Sequence, residues 1–431
     1  MNKVIELGSI WKNVIAPSSK SIAIRAIAAG LLSQEKTTIY NFMACDDVNV
    51  AKNCVENLNC KTDLKNNILT IYPQQKELKN SEILEINCGE SALCYRIFPF
   101  IVSHFGKNII FSAENSLKQR NNQNLFELLQ EVGITNEINE KEATVKLNNK
   151  INSGEYSFDC SHSSQELTGL LYSLPLCNGN SKIIASNLNS VGYIDLTLDC
   201  LKKFGIKIDL EVEKNSSKSI FHIAGNQKFK AAEVVIEGDW SAATNFFVLG
   251  AIIGEVSIAN LNLNSLQPDK VIYLLFKDLG IDCEIIYSTL NTNELNTNEV
   301  NNCIFKIRKS EFSGFEFDAT NCPDLVPILV VLALNATSNS RIAGISRLLN
   351  KESNRKDVIL KVFSMLGAKI KVENDSFVIS PSKLTGGFAD SHNDHRIAMA
   401  LAIAVTVSKN PSQITRAECV NKSFPDFWKY F

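Results

Sequence analysis

The chain has 431 residues, 45% hydrophobic and 21% charged, with a formal net charge of −2. That length exceeds one ordinary core and sets two domains as the expectation; the composition is that of a soluble globular protein, not a disordered or fibrous one. A near-neutral chain with no basic block or aromatic–basic stripe is not expected to recruit nucleic acid through its global field, so anionic ligands need locally gathered cations. The apolar runs Leu325–Ala336 and Ile397–Val407 are too short to span a bilayer, and Met1–Trp11 lacks the basic start and apolar stretch of a signal peptide. No membrane association and a cytoplasmic location are therefore expected. The 12 cysteines are scattered without a C-x-x-C pair and read as buried small hydrophobes. The 5 histidines show no H-E-x-x-H spacing, and neither a Walker loop nor G-x-G-x-x-G occurs.

In chain order, the first strand is expected over Val4–Ile15, assigned to the second half of the molecule because the chain must cross between domains near Pro17–Ser19. A helix with a polar start follows near Lys20. Val55–Leu64 then reads as the end of an apolar helix, an Asn59 cap and an alternating strand, with a further strand at Leu69–Tyr72. The pattern returns. A helix starts near Glu90, Leu128–Ile138 repeats the helix–Gly–strand signature, and Ala143–Leu147 is the later strand. Helix starts near Ser163, Trp240 and Pro323 lead in the same way to Leu201–Val212, Phe276–Ile286 and Phe363–Val372, followed by strands at Ile220–Ile223, Cys303–Ile307 and Phe377–Ile379. Gly, or Asn at position 59, suits a left-handed helix C-cap. A sixth start lies near Asp394, and this unit is cut short after its first helix, ending in Phe424–Phe431. The starts recur every roughly 70–80 residues, which reads as six units of two helices and a small set of strands. Tyr287–Asn302, rich in Asn, Thr and Glu, is a polar insertion expected to be a mobile loop. Six units divide into two domains of three, with the midpoint near Ile236–Asp239: residues 19–236, and residues 1–18 with 237–431.

Chemistry-bearing residues collect at the helix starts. Lys20, Ser21 and Arg25 lie in P-S-S-K-S-I-A-I-R, Ser163, Ser164 and Gln165 in S-H-S-S-Q-E, Asp324 after Pro323, and Asp394, His395 and Arg396 in N-D-H-R-I-A-M-A. A helix N-terminus carries partial positive charge, so a cation there is unfavourable by roughly 0.3–1 kcal/mol unless an anion compensates. Repeated cations at helix starts point to a bound anion. Lys351, Glu352 and Arg355, Arg120 and Lys422 add charge that could hold phosphate and carboxylate through bidentate bonds. Each has a plainer reading. Ser163-x-x-Glu166 fits a capping box. Asp324 fits a first-turn acid. Lys351–Arg355 fits a solvated helix start with a Glu352–Arg355 pair. Lys422 fits a surface lysine, and Trp240 fits a core position.

Taken together, the segments resemble the 5-enolpyruvylshikimate-3-phosphate synthase family, also called 3-phosphoshikimate 1-carboxyvinyltransferases, over nearly the whole chain. The matching stretches are P-S-S-K-S-I-A-I-R (17–25), D-D-V (46–48), S-S-Q (163–165), S-V-G-Y-I-D-L-T (190–197), G-D-W-S-A-A (238–243), N-S-L-Q-P-D (264–269), P-D-L-V-P (323–327), K-E-S-N-R (351–355), N-D-H-R-I-A-M (393–399) and K-S-F-P-D (422–426). The resemblance implies an α/β (α+β) fold of two domains, each of three β-α-β-α-β-β units with helices packed inside, an inside-out α/β barrel, with the active site in the cleft between them. It implies attack of the 5-hydroxyl of shikimate 3-phosphate on C2 of phosphoenolpyruvate, protonation at C3, and loss of phosphate to give the enol ether, in a monomer without metal or organic cofactor.

By position, the resemblance assigns Lys20, Ser21, Arg25, Ser163, Ser164, Gln165, Ser190, Asp324 and Lys351 to shikimate 3-phosphate, with Tyr193 as a neighbour. Lys20, Arg120, Gln165, Arg355, Arg396 and Lys422 are assigned to phosphoenolpyruvate. Asp324 takes the proton of the 5-hydroxyl, Glu352 moves the proton at C3, and Lys20 completes the catalytic set. His395 orients or shares protons. Glu352 acting as an acid requires local desolvation. One loop departs from the family pattern N-A-G-T-x-x-R: here it is G-E-S-A-L-C-Y-R (89–96), with Glu90, Ala92 and Leu93 as the changes and Arg96 kept. A methyl on Ala92 and the charge of Glu90 are expected to spare phosphoenolpyruvate but to weaken bulkier inhibitors such as glyphosate. The usual S-L-R-x-R-P-M is also altered, keeping Arg120. The related UDP-N-acetylglucosamine enolpyruvyl transferases use a loop cysteine, and Ser112–Asn122 has none. A non-catalytic binding protein of this fold is the alternative of a different class; retention of Lys20, Asp324, Glu352, Arg355, Arg396 and Lys422 counts against it.

Overall fold

The computed structural model describes residues 1–5, 12–73, 83–106, 108–135, 137–212, 217–287 and 302–431. The polar insertion expected at Tyr287–Asn302 falls, apart from its two end residues, outside the described residues. The chain divides into two compact units, Lys20–Ile236 and Met1–Ser19 with Glu237–Phe431.

Within Lys20–Ile236 there are three four-stranded sheets of one topology. In the second, Leu84–Asn87 runs parallel to Ile109–Ser112, which pairs antiparallel with Thr144–Leu147, which pairs antiparallel with Glu137–Asn139. In the third, Glu155–Asp159, Ser181–Ser186, Lys218–Ile223 and Ile208–Val212 repeat that order. The first sheet uses Thr37–Tyr40, Ile68–Ile71 and Thr62–Lys65, and its outer parallel strand is Glu233–Val235, from the far end of the unit. A helix connects the parallel pair of the second and of the third sheet, as a parallel crossover requires, and in the first sheet a helix leads into Thr37–Tyr40.

Those helices, Lys20–Leu32, Ala92–Val102 and Gln165–Ser173, are apolar on nearly every face and buried along most of their length. A helix apolar all round must sit inside a core. Ala92–Val102 packs on both of the others. The approach is close at Gly169, where an added Cβ would lie 2.5 Å from Phe100 Cδ2 and 3.2 Å from the Arg96 carbonyl. The second helices, Asp46–Asn57, Gln123–Glu131 and Val191–Lys203, keep one polar face.

The other unit repeats the scheme. Trp240–Ile253, Val326–Leu334 and His395–Val405 are the buried helices, in mutual contact. Val256–Asn262 with Asn302–Ile307 and Cys283–Tyr287 form one sheet, and Ser340–Ala343 with Glu316–Asp318, Ser376–Ser380 and Lys369–Glu373 a second. The N-terminal segment expected as one strand is two: Asn13–Ile15 runs parallel to Val256–Asn262, whereas Asn2–Ile5 pairs antiparallel with Ser412–Thr415. The truncated sixth unit takes that terminal strand and so completes a three-stranded sheet with Gly387–Asp390. Where a second helix would lie, the tail makes short 3-10 turns at Ala417–Lys422 and Phe427–Tyr430. Phe424, Phe427, Tyr430 and Phe431 close around Phe246, with ring centroids 5.2–6.2 Å from it.

The expected helix caps are present. Gly133, Gly205, Gly280 and Gly367 follow their helices at φ +78°, +79°, +66° and +97°, and Asn59 takes the same conformation at +61°. Asparagine tolerates this region better than other residues with a Cβ, which is why the first repeat survives without glycine.

Candidate active site

In Lys20–Ile236 the sequence-selected residues gather at the starts of the helices. Lys20 opens its helix, and its Nζ lies 2.7 Å from Asp47 Oδ2 in the first turn of Asp46–Asn57. Both side chains are largely buried, at 15% and 6% exposure. The anion that compensates Lys20 at its helix start is thus internal, and Asp47 was quoted in a motif without a role. Arg25, 2% exposed, donates from Nε to Thr197 Oγ1 (2.9 Å), from Nη1 to the Ser21 carbonyl (2.9 Å) and from Nη2 to the Tyr193 carbonyl (3.1 Å). Its guanidinium also lies over the Tyr193 ring, 6.0 Å from the centroid. It therefore locks the start of Lys20–Leu32 to the start of Val191–Lys203. Burial lowers its affinity for its proton. Ser190 caps that second helix in the left-handed region at φ +58°, a conformation costly for serine.

The capping box expected at Ser163-x-x-Glu166 does not form. Ser164 is the N-cap and its side chain makes no capping bond; Ser163 Oγ instead accepts from the Gln165 amide at 3.1 Å. Glu166 lies 3.4 Å from Arg96 Nε, because a buried guanidinium is a stronger partner than a helix amide. Arg96 also donates to Gln165 Oε1 (3.2 Å) and Asn122 Oδ1 (3.4 Å), fixing the glutamine expected to bridge the two substrates. Arg120 Nη2 donates to Ser116 Oγ at 3.3 Å, and the Ser116 amide donates to Glu90 Oε1 at 3.1 Å. The unusual Glu90 is thereby seated against the first turn of Asn115–Lys118, and Ala92 opens the helix Ala92–Val102.

In the other unit, Arg355 is the centre of the arrangement. It is 1% exposed, so the solvated helix start considered above is not what forms. Nε donates to Asp394 Oδ2 (2.8 Å), Nη2 to Asp394 Oδ1 (3.3 Å) and Glu352 Oε2 (2.6 Å), and Nη1 to Asp324 Oδ1 (2.7 Å). Most of the fork is spent on three carboxylates. Asp394 also caps its own helix, accepting from the Arg396 amide at 2.9 Å, and accepts from Ser353 Oγ at 3.1 Å. Lys351 Nζ lies 3.2 Å from Asp324 Oδ1. Lys422, buried rather than on the surface, lies 3.6 Å from Glu352 Oε1.

Charge decides the state of Asp324. Burial pushes its carboxyl up, but Lys351, Arg355 and Arg396 outweigh burial and hold it well below the usual carboxylate range. Burial pulls Lys351 down, with Asp324 opposing. Arg355 is held above its usual value by Asp394, Glu352 and Asp324 against burial.

Arg396 differs from every other cation here. It is 5% exposed, and its Nε and Nη1 are buried with no hydrogen-bond partner among the described residues. Asp324, Asp239 and Asp269 nonetheless keep it charged against the cost of burial. A buried guanidinium without a direct partner is costly by several kcal/mol unless an anion arrives. At Lys20 an internal acid, Asp47, answers the cation, whereas Arg396 Nε and Nη1 have no hydrogen-bond partner among the described residues. Glu352, Asp394 and His395 bring one ligand atom each within 4.8 Å of one another. A cation there would face the Arg355 guanidinium already bound to both acids, and no metal is assigned.

A family profile described as EPSP synthase (3-phosphoshikimate 1-carboxyvinyltransferase) matches residues 6–431. The 3-phosphoshikimate 1-carboxyvinyltransferase of Clostridium novyi (strain NT) is 35% identical over 427 residues, covering 96% of this chain and 93% of the relative. That of Clostridium acetobutylicum is 35% identical over 417 residues, covering 96% and 92%. Among solved structures, EPSP synthase from Acinetobacter baumannii superposes with a TM-score of 0.78 at 20% identity, covering 100% of this chain and 97% of that one. The enolpyruvyl transferase NikO from Streptomyces tendae gives 0.70 at 13% identity, covering 99% and 95%. At those identities the solved structures speak for the fold alone, an α/β arrangement of repeated units. With the family profile running almost end to end and relatives above 30% identity over nearly their full lengths, the chain belongs to the EPSP synthase (3-phosphoshikimate 1-carboxyvinyltransferase) family.

Proposed function

We propose that the protein transfers the enolpyruvyl group of phosphoenolpyruvate to the 5-hydroxyl of shikimate 3-phosphate and releases phosphate. The observation that carries this reading is Arg396, a buried charged guanidinium whose Nε and Nη1 have no hydrogen-bond partner among the described residues, in the same unit as the ionised Asp324. Such an arginine suits a carboxylate or phosphate, which can take bidentate hydrogen bonds. Asp324, held ionised by Lys351, Arg355 and Arg396, is the group to accept the 5-hydroxyl proton. Binding of an anionic substrate to Lys351 or Arg396 would cancel part of the field that depresses Asp324 and so raise its basicity at the moment of reaction.

Arg355 then acts mainly by holding Asp324, Glu352 and Asp394 in one arrangement, while Arg396 and Lys422 receive phosphoenolpyruvate. Glu352, between Arg355 and Lys422, is assigned the proton at C3, given in the addition step and removed when phosphate leaves. In the other unit, Ser163, Ser164 and Ser190 are assigned to the phosphate of shikimate 3-phosphate, Ser21 and Arg25 to shikimate 3-phosphate, and Gln165 and Lys20 to both substrates, while Lys351, in the unit of Asp324, is assigned to the shikimate ring substituents. Arg120 is assigned to phosphoenolpyruvate. The protein is proposed to act as a cytoplasmic monomer without nucleic acid; no helix among the described residues is long and apolar enough to cross a membrane.

The test is phosphate release from phosphoenolpyruvate in metal-free buffer, with and without shikimate 3-phosphate. Release that depends on shikimate 3-phosphate is expected, and Asp324→Ala should lower it by about 10²–10⁴-fold while leaving shikimate 3-phosphate binding measurable. Absence of release with shikimate 3-phosphate bound would overturn the proposal.

A further inference from the structure

The motif N-S-L-Q-P-D (264–269) matches the family but has no role above, and its last residue, Asp269, is one of the three carboxylates whose charge acts on Arg396. Asp269 is 2% exposed, and its Oδ1 has no hydrogen-bond partner among the described residues. Its position is set by Gln267, which donates to Glu237 Oε1 and the Gly238 carbonyl, both at 2.8 Å, and accepts from the Trp240 amide at 3.1 Å. Groups on three further elements interact with it electrostatically: Asp239 and Ser241 at the start of Trp240–Ile253, Cys322 and Asp324 at the 3-10 turn Pro323–Leu325, and Arg396 in the first turn of His395–Val405. Burial, with Asp324 and Asp239, pushes the Asp269 carboxyl up to about 7, against the opposing pull of Ser241 and Arg396. Asp324 is ionised and the Cys322 thiol is pushed up by burial, so neither exchanges a proton near neutrality.

Resting on the enolpyruvyl-transfer reading, we propose that Asp269 is a positioning residue for Arg396, and that it takes up a proton when an anion binds that guanidinium. In the free protein the charge on Arg396 favours ionised Asp269. An anion seated on Arg396 cancels that field and adds negative charge nearby, which favours the neutral acid. The proton comes from solvent, and the neutral acid no longer repels the ligand. Binding is then tightest below neutrality and weakens as pH rises through the range between the free and bound ionisations of Asp269.

Phosphoenolpyruvate is titrated calorimetrically into protein saturated with shikimate 3-phosphate lacking its 5-hydroxyl, which cannot react. Two buffers of different ionisation heat give the proton count. The wild type is expected to take up about half to one proton more than Asp269→Asn at pH 7.5, and its affinity to fall about three- to tenfold more than the variant's from pH 6.5 to 8.5. The ligand's own phosphate titrates equally in both. Equal proton counts and parallel pH profiles would overturn the role of Asp269 and leave enolpyruvyl transfer untouched. Absence of phosphoenolpyruvate binding at every pH would overturn the enolpyruvyl reading, and this one with it. Should Asp269→Asn not fold, infrared difference spectra of the wild type decide: a protonated-carboxyl signal is expected on ligand binding at pH 7.5, and its absence overturns the proposal.

Discussion

Lys20 and Asp47 stand 27 residues apart in sequence and 2.7 Å apart in space, and the same 27-residue offset joins Lys351 to Asp324 at 3.2 Å. It recurs where the Trp240 amide meets Gln267. In each case the start of a unit's first helix meets the start of its second. The repeat thus brings together side chains that neither helix would gather alone, and in two of its copies it has placed an ion pair there.

The Lys20–Asp47 pair is largely buried, so Asp47→Asn takes a charged partner from a buried ammonium. The expected cost is about 1.5–3 kcal/mol, the range for a hydrogen bond to a charged group. It is checked by the denaturant midpoint of the unit that holds Lys20, with an unchanged slope. Lys20→Met combined with Asp47→Leu should recover most of that loss, because replacing both partners removes the desolvation cost.

Arg355 and Arg396 should respond oppositely to substitution. Arg355→Lys cannot reproduce a fork shared among Asp324, Glu352 and Asp394, and should destabilise by about 3–5 kcal/mol. Arg396→Gln breaks no side-chain hydrogen bond among the described residues; it removes a costly buried charge but also takes a cation from Asp324, Asp239 and Asp269, two effects of opposite sign, so it should change stability less than Arg355→Lys. The same change should weaken phosphoenolpyruvate by about 100-fold, the equivalent of losing about 2.7 kcal/mol of charge-assisted bonding. Thermal melts with binding titrations separate the two effects.

Asp324 predicts an acid dependence of stability. Its carboxyl is held below its unfolded value of about 4, so its stabilising contribution is complete above that value and is lost as pH falls through the lower folded value. Asp324→Asn should therefore flatten the fall in stability below about pH 4 and lower stability at pH 7. Unfolding free energies at several pH values, in both proteins, show whether the curves converge in acid.

The altered loop predicts inhibitor selectivity. Glu90 is seated on the Ser116 amide, and Ala92 places a methyl at the start of Ala92–Val102. Glyphosate should inhibit weakly, and Ala92→Gly should strengthen inhibition about tenfold or more while changing the Michaelis constant for phosphoenolpyruvate less. Tight glyphosate inhibition of the unaltered protein, competitive with phosphoenolpyruvate, would refute the selectivity.

Legibility differed by residue. Gly133, Gly205, Gly280 and Gly367 announced where helices end, because a left-handed cap favours glycine, with asparagine as the substitute at position 59, whatever surrounds it. Asp47, Arg96 and Asp269 were passed over because each acts through a residue distant in sequence. The 27-residue offset was the signal that could have exposed Asp47, since Asp324 and Lys351 already displayed it. The Ser163–Glu166 capping box was a sound local reading that lost to Arg96, 70 positions before Glu166.

Local pattern and repetition by themselves determined the helix and strand order, the repeated units and the residue types at their starts, because helix periodicity, strand alternation and capping act over a few neighbouring positions. The family likeness needed nothing more. Only the tertiary structure decided which charges are answered within the protein. Asp47 meets Lys20, three acids share Arg355, and Arg396 Nε and Nη1 find no hydrogen-bond partner among the described residues. The physical reason is that desolvation and Coulomb energy depend on distances of a few ångströms between groups tens of residues apart, and those distances exist only once the units have folded.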